Sequence, residues 1–184
     1  MRVIAGTARS MPLKTVKGMD IRPTTDKIKE TLFNVLQQDV PGCRFLDLFS
    51  GSGAIAVEAL SRGASHAVLV EQSPKAAECA RDNLTFTRLI DRAELHKCDV
   101  LTALHRLEGQ KPFDIIFMDP PYNQDLERQV LEYLADSTLA DEYTVLVVEA
   151  SLETDFSWLG ELGYHAYKTK KYRTNQHLFI QKDS

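Results

Sequence analysis

The chain has 184 residues, 43% of them apolar, which is enough to build the core of one globular domain. No apolar run approaches the roughly 20 residues of a membrane-spanning helix, and the first residues lack the apolar segment of a signal peptide, so we expect a cytoplasmic protein without a membrane partner. The net charge of −4 does not by itself favour binding to nucleic acid.

The charges, however, are unevenly distributed along the chain. Residues 1–30 contain seven Lys or Arg and three Asp or Glu, and residues 165–184 contain five and one, so each end carries +4. The remaining residues, 31–164, contain 10 basic and 22 acidic residues, a net −12. Two basic ends on an acidic body are typical of a protein whose ends meet a polyanion, although exposed termini also carry charge without a partner.

We predict one domain over residues 1–184, in three parts. Residues 1–40 form a basic segment and an amphipathic helix at 26–38. In residues 41–150, short apolar runs typical of buried parallel strands alternate with helical patterns. Residues 151–184 are predicted to form a helix and an antiparallel hairpin. The strands are predicted at 43–49, 66–71, 93–99, 113–119, 143–150, 164–170 and 174–181, and the helices between them at 53–63, 73–89, 100–108 and 125–136. This pattern predicts a doubly wound α/β sheet, mostly parallel.

The first predicted strand runs into DLFSGSGAIA, residues 47–56. Gly51 and Gly53 allow a tight turn and a close approach by a ligand, and Phe49 lies in the same turn. Glu71, at the end of the second strand, is placed to accept hydrogen bonds from two ribose hydroxyls. The pattern therefore predicts a cofactor that contains adenosine; a tight turn beside a solvated glutamate is the less informative alternative.

Two further carboxylates favour one cofactor over another. Asp47 lies inside the turn. Its negative charge would repel a pyrophosphate but would attract the cationic amino and sulfonium groups of S-adenosylmethionine. Asp99 ends the third strand and can accept from an adenine amino group. A P-loop is excluded because no GK[ST] follows the glycines, whereas NAD stays possible because GSGAIA fits the loose dinucleotide pattern.

The fourth strand ends in Asp119, Pro120, Pro121 and Tyr122. The Asp119 carboxylate and the Pro120 carbonyl can grip the two hydrogens of an exocyclic amine and turn its lone pair towards a methyl donor. The two prolines fix the backbone that aims this carbonyl, and Tyr122 offers a ring on which a base can stack. We therefore predict that these four residues form the catalytic site of an amino-methyltransferase.

The histidines and cysteines carry no comparable pattern. The three cysteines are odd in number and lack metal-ligand spacing, as do His66, His96 and His105, so we predict reduced thiols and no metal site. The other two histidines, His165 and His177, are interpreted as hairpin residues.

The chain resembles the bacterial 16S rRNA guanine-N2 methyltransferases of the RsmD type. Four stretches carry the resemblance, RVIAGTARSMPL, IRPTTDKIKETLFNVL, LDLFSGSGAIAVEALSRGA and FDIIFMDPPY. The motif DPPY also occurs in DNA adenine methyltransferases, so the second and third stretches are the more specific. The resemblance implies a Rossmann-like, class I fold with a seven-stranded sheet.

The resemblance also implies the substrate. It implies methylation of guanine 966 of 16S rRNA on an assembled or nearly assembled 30S subunit, by a monomer that uses S-adenosylmethionine. It implies that Thr24 and Thr25, with the helix they start, lie near the methionine part of the cofactor. The basic residues of the two ends are then expected to bind RNA phosphates: Arg2, Arg9, Arg22, Lys168, Lys170, Lys171 and Arg173.

Three alternatives stay open at this point. A DNA adenine-N6 or cytosine-N4 methyltransferase would use the same chemistry, but the chain has no insert for reading a DNA sequence. A non-catalytic RNA-binding factor would not need DPPY. An NAD-dependent oxidoreductase would need a proton-relay residue, and no Tyr-x-x-x-Lys pattern lies in a predicted helix after the fourth strand.

Overall fold

The computed structural model describes residues 1–17 and 24–184, and its regular elements follow the predicted order. The helices are α1 (Asp26–Val35), α2 (Ala54–Ser61), α3 (Pro74–Phe86), α4 (Val100–Leu107) and α5 (Leu126–Ala135). The strands are β1 (Arg44–Asp47), β2 (His66–Val70), β3 (Ala93–His96), β4 (Ile115–Met118), β5 (Val145–Ser151), β6 (Tyr164–Lys171) and β7 (Asn175–Lys182). The helix expected after residue 151 is a single 3-10 turn, Leu159–Leu162.

The strands form one seven-stranded sheet in the order β3-β2-β1-β4-β5-β7-β6. The first five strands are parallel to one another, and β7 runs antiparallel to both β5 and β6. This confirms the predicted fold class, including the C-terminal hairpin. The order reverses between β2-β1 and β4-β5, and in doubly wound sheets ligands bind at such a reversal, beyond the carboxyl ends of the strands.

Helices α1, α3 and α4 each begin at a capping side chain. Ser73 Oγ accepts a hydrogen bond from the Ala76 N–H at 3.3 Å, and Pro74 occupies the first turn of α3. Asp99 caps α4, and Thr25 Oγ caps α1 by accepting from the Ile28 N–H at 3.2 Å. These caps fix the points at which the chain leaves the sheet edge.

Both faces of the sheet are buried, as the continuous apolar strands require. Phe45, Phe117 and Phe179 pack with helices α1, α2 and α3 on one face. Leu46, Met118 and their neighbours pack with α4, α5 and Trp158 on the other. The site is therefore held at the edge of a sheet that is covered on both sides.

A buried ion pair fastens the N-terminal segment to the first face. Lys29 Nζ lies 3.4 Å from Glu58 Oε1, both side chains are fully buried, and Nζ also donates to the Arg2 carbonyl at 2.6 Å. The Glu58 carboxylate accepts the backbone N–H groups of Ile4 and Ala5 at 2.8 and 3.1 Å. Burial lowers the pKa of Lys29, and the Glu58 charge opposes that shift.

Across residues 1–17 and 24–184, no helix combines the length and the apolar character that crossing a bilayer requires.

Candidate active site

A cleft of about 720 Å³ lies at the carboxyl ends of β1, β2, β3, β4 and β5. Eight of the predicted site residues line it: Phe49, Gly51, Glu71, Asp99, Asp119, Pro120, Pro121 and Tyr122. Its volume is in the range of small-molecule sites. The structure therefore brings together the glycine turn and the DPPY turn, which are about 70 residues apart in the sequence.

The two glycines of the turn have different tasks. Gly51 has a φ of +52°, and a Cβ added to it would meet no atom within 4 Å, so its backbone is open to a ligand. Gly53 has a φ of +81°, but its Cβ would lie only 3.1 Å from Ala80 Cβ on α3. Gly53 does not line the cleft and serves the close packing of the turn on α3.

Glu71 organises the turn as well as facing the cleft. Its Oε1 accepts the Gly51 N–H at 2.9 Å, and its Oε2 accepts the Ser73 N–H at 2.8 Å. Each carboxylate oxygen has a second lone pair, so both can accept one more hydrogen bond from a ligand. The predicted role of Glu71 as a ribose acceptor is thus compatible with its contacts.

Asp47 lies beneath the turn as a buried carboxylate without a hydrogen-bond partner. The residue is 1% exposed, and neither carboxylate oxygen forms a hydrogen bond of normal geometry. The pKa of Asp47 is raised to about 7, chiefly by burial and also by the nearby Glu71 charge, while the backbone N–H groups of Phe49 and Ala56 lower it. Asp47 is not among the residues that line the cleft, so its predicted attraction of a cationic ligand acts from beneath the turn and stays a prediction.

Asp99 is more firmly engaged in capping than the sequence indicated. Its Oδ1 accepts the Thr102 N–H at 3.0 Å, and its Oδ2 accepts the Thr102 hydroxyl at 2.7 Å. These hydrogen bonds to Thr102 lower its pKa. Asp99 is exposed at the cleft rim, so its predicted contact with adenine would use the remaining lone pairs.

Asp119 follows the last residue of β4 and enters the cleft, half-buried. Burial raises its pKa well above the usual range, and the neighbouring charges of Glu149 and Asp47 add to the rise. Pro120 behind it is buried, whereas Pro121 and Tyr122 are exposed, with 36% of Tyr122 accessible. The half-buried acid and the exposed ring lie in one cleft, as the predicted grip on an amine and stack on a base require.

The structure adds a group that sequence reasoning missed. Glu149, near the end of β5, lines the cleft beside Asp119. Its Oε2 lies 3.0 Å from His177 Nε2, and its Oε1 accepts Asn175 Nδ2 at 2.8 Å. The other ring nitrogen of His177 lies 3.0 Å from the Tyr172 hydroxyl.

The predicted residues of the N-terminal part are less closely tied to the cleft. Thr24 and Thr25 are not among the residues lining it, and Arg22 lies outside the described residues. Arg2 pairs with Asp26, at 3.6 Å between Nε and Oδ2, beside the start of α1. The N–H groups of Thr7 and Ala8, just before Arg9, donate to Ser61 at the end of α2. This end of the helix is remote from the glycine turn, and so is Arg9. Their contacts with cofactor or RNA therefore stay predictions.

The hairpin, in contrast, brings Lys170, Lys171 and Arg173 to the end of the sheet that carries the cleft. Because β6 runs parallel to β5, its last residues, Lys170 and Lys171, lie at the same end of the sheet as Asp119. Arg173 lies in the turn between β6 and β7, and both Lys171 and Arg173 are exposed. Lys168 lies further back along β6.

Among the His, Cys, Asp and Glu side chains of residues 1–17 and 24–184, no group of three has the arrangement of a metal site.

The fold and the site together define a Rossmann-like α/β protein of the methyltransferase class. More specifically, the chain belongs to the family described as conserved hypothetical protein 95, whose model matches residues 1–181. This confirms the predicted membership of the RsmD-type family.

Individual proteins and solved structures are also similar to most of the chain. Ribosomal RNA small subunit methyltransferase D of Escherichia coli is 34% identical over 154 residues, which cover 83% of this chain and 76% of that protein. Bacillus subtilis YlbH is 41% identical over 147 residues, which cover 79% and 77%. The solved structure of Escherichia coli yhhF superposes with a TM-score of 0.85 at 28% identity and covers 100% of this chain and 98% of that one.

Proposed function

We propose that this protein transfers a methyl group from S-adenosylmethionine to the exocyclic N2 amine of guanine 966 in 16S rRNA, within an assembled or nearly assembled small subunit. The observation that carries the proposal is the position of Asp119. This half-buried carboxyl group and the Pro120 turn share one cleft with the glycine turn and Glu71, so an amine and a methyl donor can meet there. The similarity to relatives named as small-subunit rRNA methyltransferases supports the choice of substrate.

The residues of the cleft fit S-adenosylmethionine. The unpartnered Asp47 carboxylate offers its charge to the cationic amino and sulfonium groups, Glu71 accepts from the ribose hydroxyls, and the open backbone of Gly51 lets the ligand approach. The apolar side chains of Val70, Val100 and Leu101 line the cleft beside Asp99 and provide the wall for adenine. When bound, this cofactor supplies an electrophilic methyl group.

On the target side, the chain holds the amine and removes its proton. The Asp119 carboxylate and the Pro120 carbonyl accept the two N2 hydrogens, which directs the nitrogen lone pair towards the methyl group. The nitrogen loses one proton after it has gained the methyl group, and the raised pKa of Asp119 suits that carboxylate to receive it. Tyr122 stacks on the base, which offsets part of the few kcal/mol needed to take a nucleotide out of its helix.

The test is transfer of a labelled methyl group to small ribosomal subunits that lack the modification. We expect the digested product to contain N2-methylguanosine, identified by mass spectrometry, at one position of 16S rRNA. N6-methyladenosine or N4-methylcytidine in the digest would contradict the guanine assignment. Absence of transfer to subunits and to free rRNA, with intact cofactor binding, would contradict the rRNA assignment.

Replacing Glu71 is expected to weaken the cofactor site. Glu71→Ala removes the ribose acceptor and the acceptor of the Gly51 N–H, each a charge-assisted hydrogen bond. We expect S-adenosylhomocysteine to bind about 10- to 100-fold more weakly, measured by isothermal titration calorimetry. Glu78→Ala, an exposed substitution on α3, is the control and leaves the affinity unchanged. An unchanged affinity in Glu71→Ala would remove Glu71 from the site.

The hairpin is expected to contribute salt-dependent affinity for RNA. Replacing both Lys171 and Arg173 by Ala removes two exposed charges at the end of the sheet that carries the cleft. We expect the slope of log K against log salt for subunit binding to become less steep by about 1.5, because each phosphate contact contributes about 0.7–0.9. Replacing Arg106 and Lys111, exposed near the amino ends of the strands, removes the same charge and is expected to change the slope much less. Equal effects of the two double variants would show that only net charge matters.

A further inference from the structure

Glu149 lies on the target side of Asp119. The β4–β5 register pairs Met118 with Val148, so the next residues, Asp119 and Glu149, emerge side by side at the carboxyl ends of these strands. Both line the cleft, and Glu149 is only 6% exposed. Because β5 lies on the opposite side of β4 from β1, Glu149 is farther from the glycine turn than Asp119 is.

The Glu149 carboxylate is held from behind by β7. The antiparallel register places His177 opposite Glu149, where Nε2 lies 3.0 Å from Oε2, and Asn175 Nδ2 donates to Oε1 at 2.8 Å. His177 is fully buried, with its ring edge-on to Phe117 and Phe179. A Tyr172 hydroxyl that donates to Nδ1 leaves the proton on Nε2, which then donates to Glu149.

This arrangement leaves the carboxylate oriented and able to accept further hydrogen bonds. Each of its oxygens uses one lone pair on a β7 side chain and keeps another. A buried carboxylate with fixed donors on one side and a cleft on the other is an acceptor for a ligand that carries a hydrogen-bond donor. The cofactor part of the cleft has its own carboxylates, Glu71 and Asp99, so the ligand group that faces Glu149 belongs to the methyl acceptor.

The chemistry of the bases identifies that group. In guanine, the N2 amine is flanked by N1, which carries a hydrogen and donates. In adenine the N6 amine is flanked by N1, and in cytosine the N4 amine by N3, and both of these nitrogens are acceptors. Two adjacent carboxylates therefore suit the guanine edge, with its adjacent donors, and repel the lone pair of the other two bases.

We propose that Glu149 accepts a hydrogen bond from the N1–H of the target guanine and thereby selects guanine over adenine and cytosine, with His177 and Asn175 as positioning residues. This inference rests on the proposed function, because it assumes that the N2 amine of a guanine is the methyl acceptor. Glu149 would then provide the selection of guanine, which would otherwise have to come from the shape of the RNA.

The test uses 2-aminopurine, which keeps the N2 amine but has an unprotonated, accepting N1. Small subunits are reconstituted with 16S rRNA carrying guanine or 2-aminopurine at the nucleotide that the wild-type protein methylates. Because the two amines differ in intrinsic reactivity, the quantity compared is the guanine to 2-aminopurine ratio of kcat/KM in each protein. A buried acceptor left facing another acceptor is expected to make this ratio about 100-fold or more in the wild type.

In Glu149→Gln the ratio is expected to fall at least about tenfold, because the new side-chain amide can turn its N–H towards the accepting N1. His177 can accommodate the amide by exchanging its protonated nitrogen, so the variant keeps a partner on β7. Both substrates are assayed with the same preparation, so a smaller folded fraction leaves the ratio unaffected. Glu149→Ala, which supplies neither donor nor acceptor, is the second variant and is also expected to lower the ratio.

Glu153→Gln, an exposed change just beyond β5, is the matched control and keeps the wild-type ratio. A parallel loss on both substrates in Glu149→Gln and Glu149→Ala would overturn the inference, since Glu149 would then only support the fold or Asp119. Absence of methylation of the guanine-bearing subunit by the wild type would instead overturn the proposed function, and the two failures are thereby distinguished.

Discussion

Asp119→Ala is expected to abolish methyl transfer while leaving cofactor binding intact. The substitution removes the carboxylate expected to grip the N2 amine and receive its proton, whereas the groups expected to hold the cofactor in the cleft follow β1, β2 and β3. Loss of one preorganised group at the reacting atom reduces kcat by about 10²–10³-fold, and loss of the proton acceptor adds to this. The measurement is single-turnover methyl transfer to small subunits at saturating enzyme, alongside calorimetric binding of S-adenosylhomocysteine.

The pair of measurements distinguishes catalysis from folding. Asp91→Ala removes an exposed carboxylate from a 3-10 turn, Ile90–Arg92, that precedes β3, and is the control, with wild-type values expected in both assays. A variant of Asp119 that binds cofactor normally and retains more than about a tenth of the wild-type rate would remove Asp119 from the catalytic role. Loss of cofactor affinity in Asp119→Ala would indicate that this residue belongs to the cofactor site instead.

The sequence was sufficient for the architecture because local signals and the sheet agree. Continuous apolar runs mark strands that are covered on both faces, and Ser73 and Pro74 mark a helix start by side-chain chemistry that acts within a few residues. The same holds for Asp119 and Glu71, because residues that end neighbouring parallel strands must share one edge of the sheet. Strand ends were predicted less well, and β3 and β4 are shorter than the apolar runs that contain them.

The network around Glu149 could not be predicted because it depends on register. Glu149 faces His177 because β7 pairs antiparallel with β5 in one particular register, and several other registers were possible from the sequence. In the sequence, Glu149 ends an apolar run, and His177 was interpreted as an ordinary hairpin residue. The buried pair of Lys29 and Glu58 was missed for a related reason, because the two residues lie on separate helices that only tertiary packing brings together.

Gly53 shows how one motif can combine two physical causes. The spacing of the two glycines predicted ligand contact at both, and the structure gives this opportunity to Gly51 alone. The neighbouring side chain of Ala80 explains the need for glycine at position 53, since a Cβ there would press against α3. Sequence spacing cannot separate these causes, because helix packing and ligand approach both exclude a side chain.

Asp47→Asn is expected to stabilise the ligand-free protein and to weaken S-adenosylmethionine binding. The folded pKa of about 7 exceeds the ordinary value of 3.8, so the folded state holds more protons than the unfolded chain between these values. Wild-type stability is therefore expected to fall as the pH rises from about 4 to 7 and to level off above. The Asn variant lacks this contribution, and at pH 8 its free energy of unfolding is expected to exceed the wild-type value by about 2–4 kcal/mol.

The effect on binding has the opposite sign. A cationic ligand binds the ionised form of Asp47, so wild-type affinity for S-adenosylmethionine is expected to increase as the pH rises through about 7. The Asn variant loses this dependence, and its affinity at pH 8 is expected to be about 10²-fold or more below the wild type. Urea unfolding from pH 5 to 8 measures the effect on stability, and calorimetry over the same range measures the effect on binding. The difference between the wild type and the Asn variant at each pH isolates Asp47, because Asp119 and the other acids are present in both proteins.

The opposite effects of Asp47→Asn on stability and on binding distinguish an aspartate that serves a ligand from one that the fold needs. An aspartate that the fold itself needs would lower both stability and affinity when changed to Asn, because its hydrogen-bond partners would lose their acceptor. The Asp47 oxygens form no hydrogen bond of normal geometry with the described residues, and the Phe49 and Ala56 N–H groups offset only part of the cost of burial. We therefore expect the ionised form to cost stability until a cation binds nearby. A destabilised Asn variant, or one that binds S-adenosylmethionine as well as the wild type, would contradict this account of why the carboxylate is there.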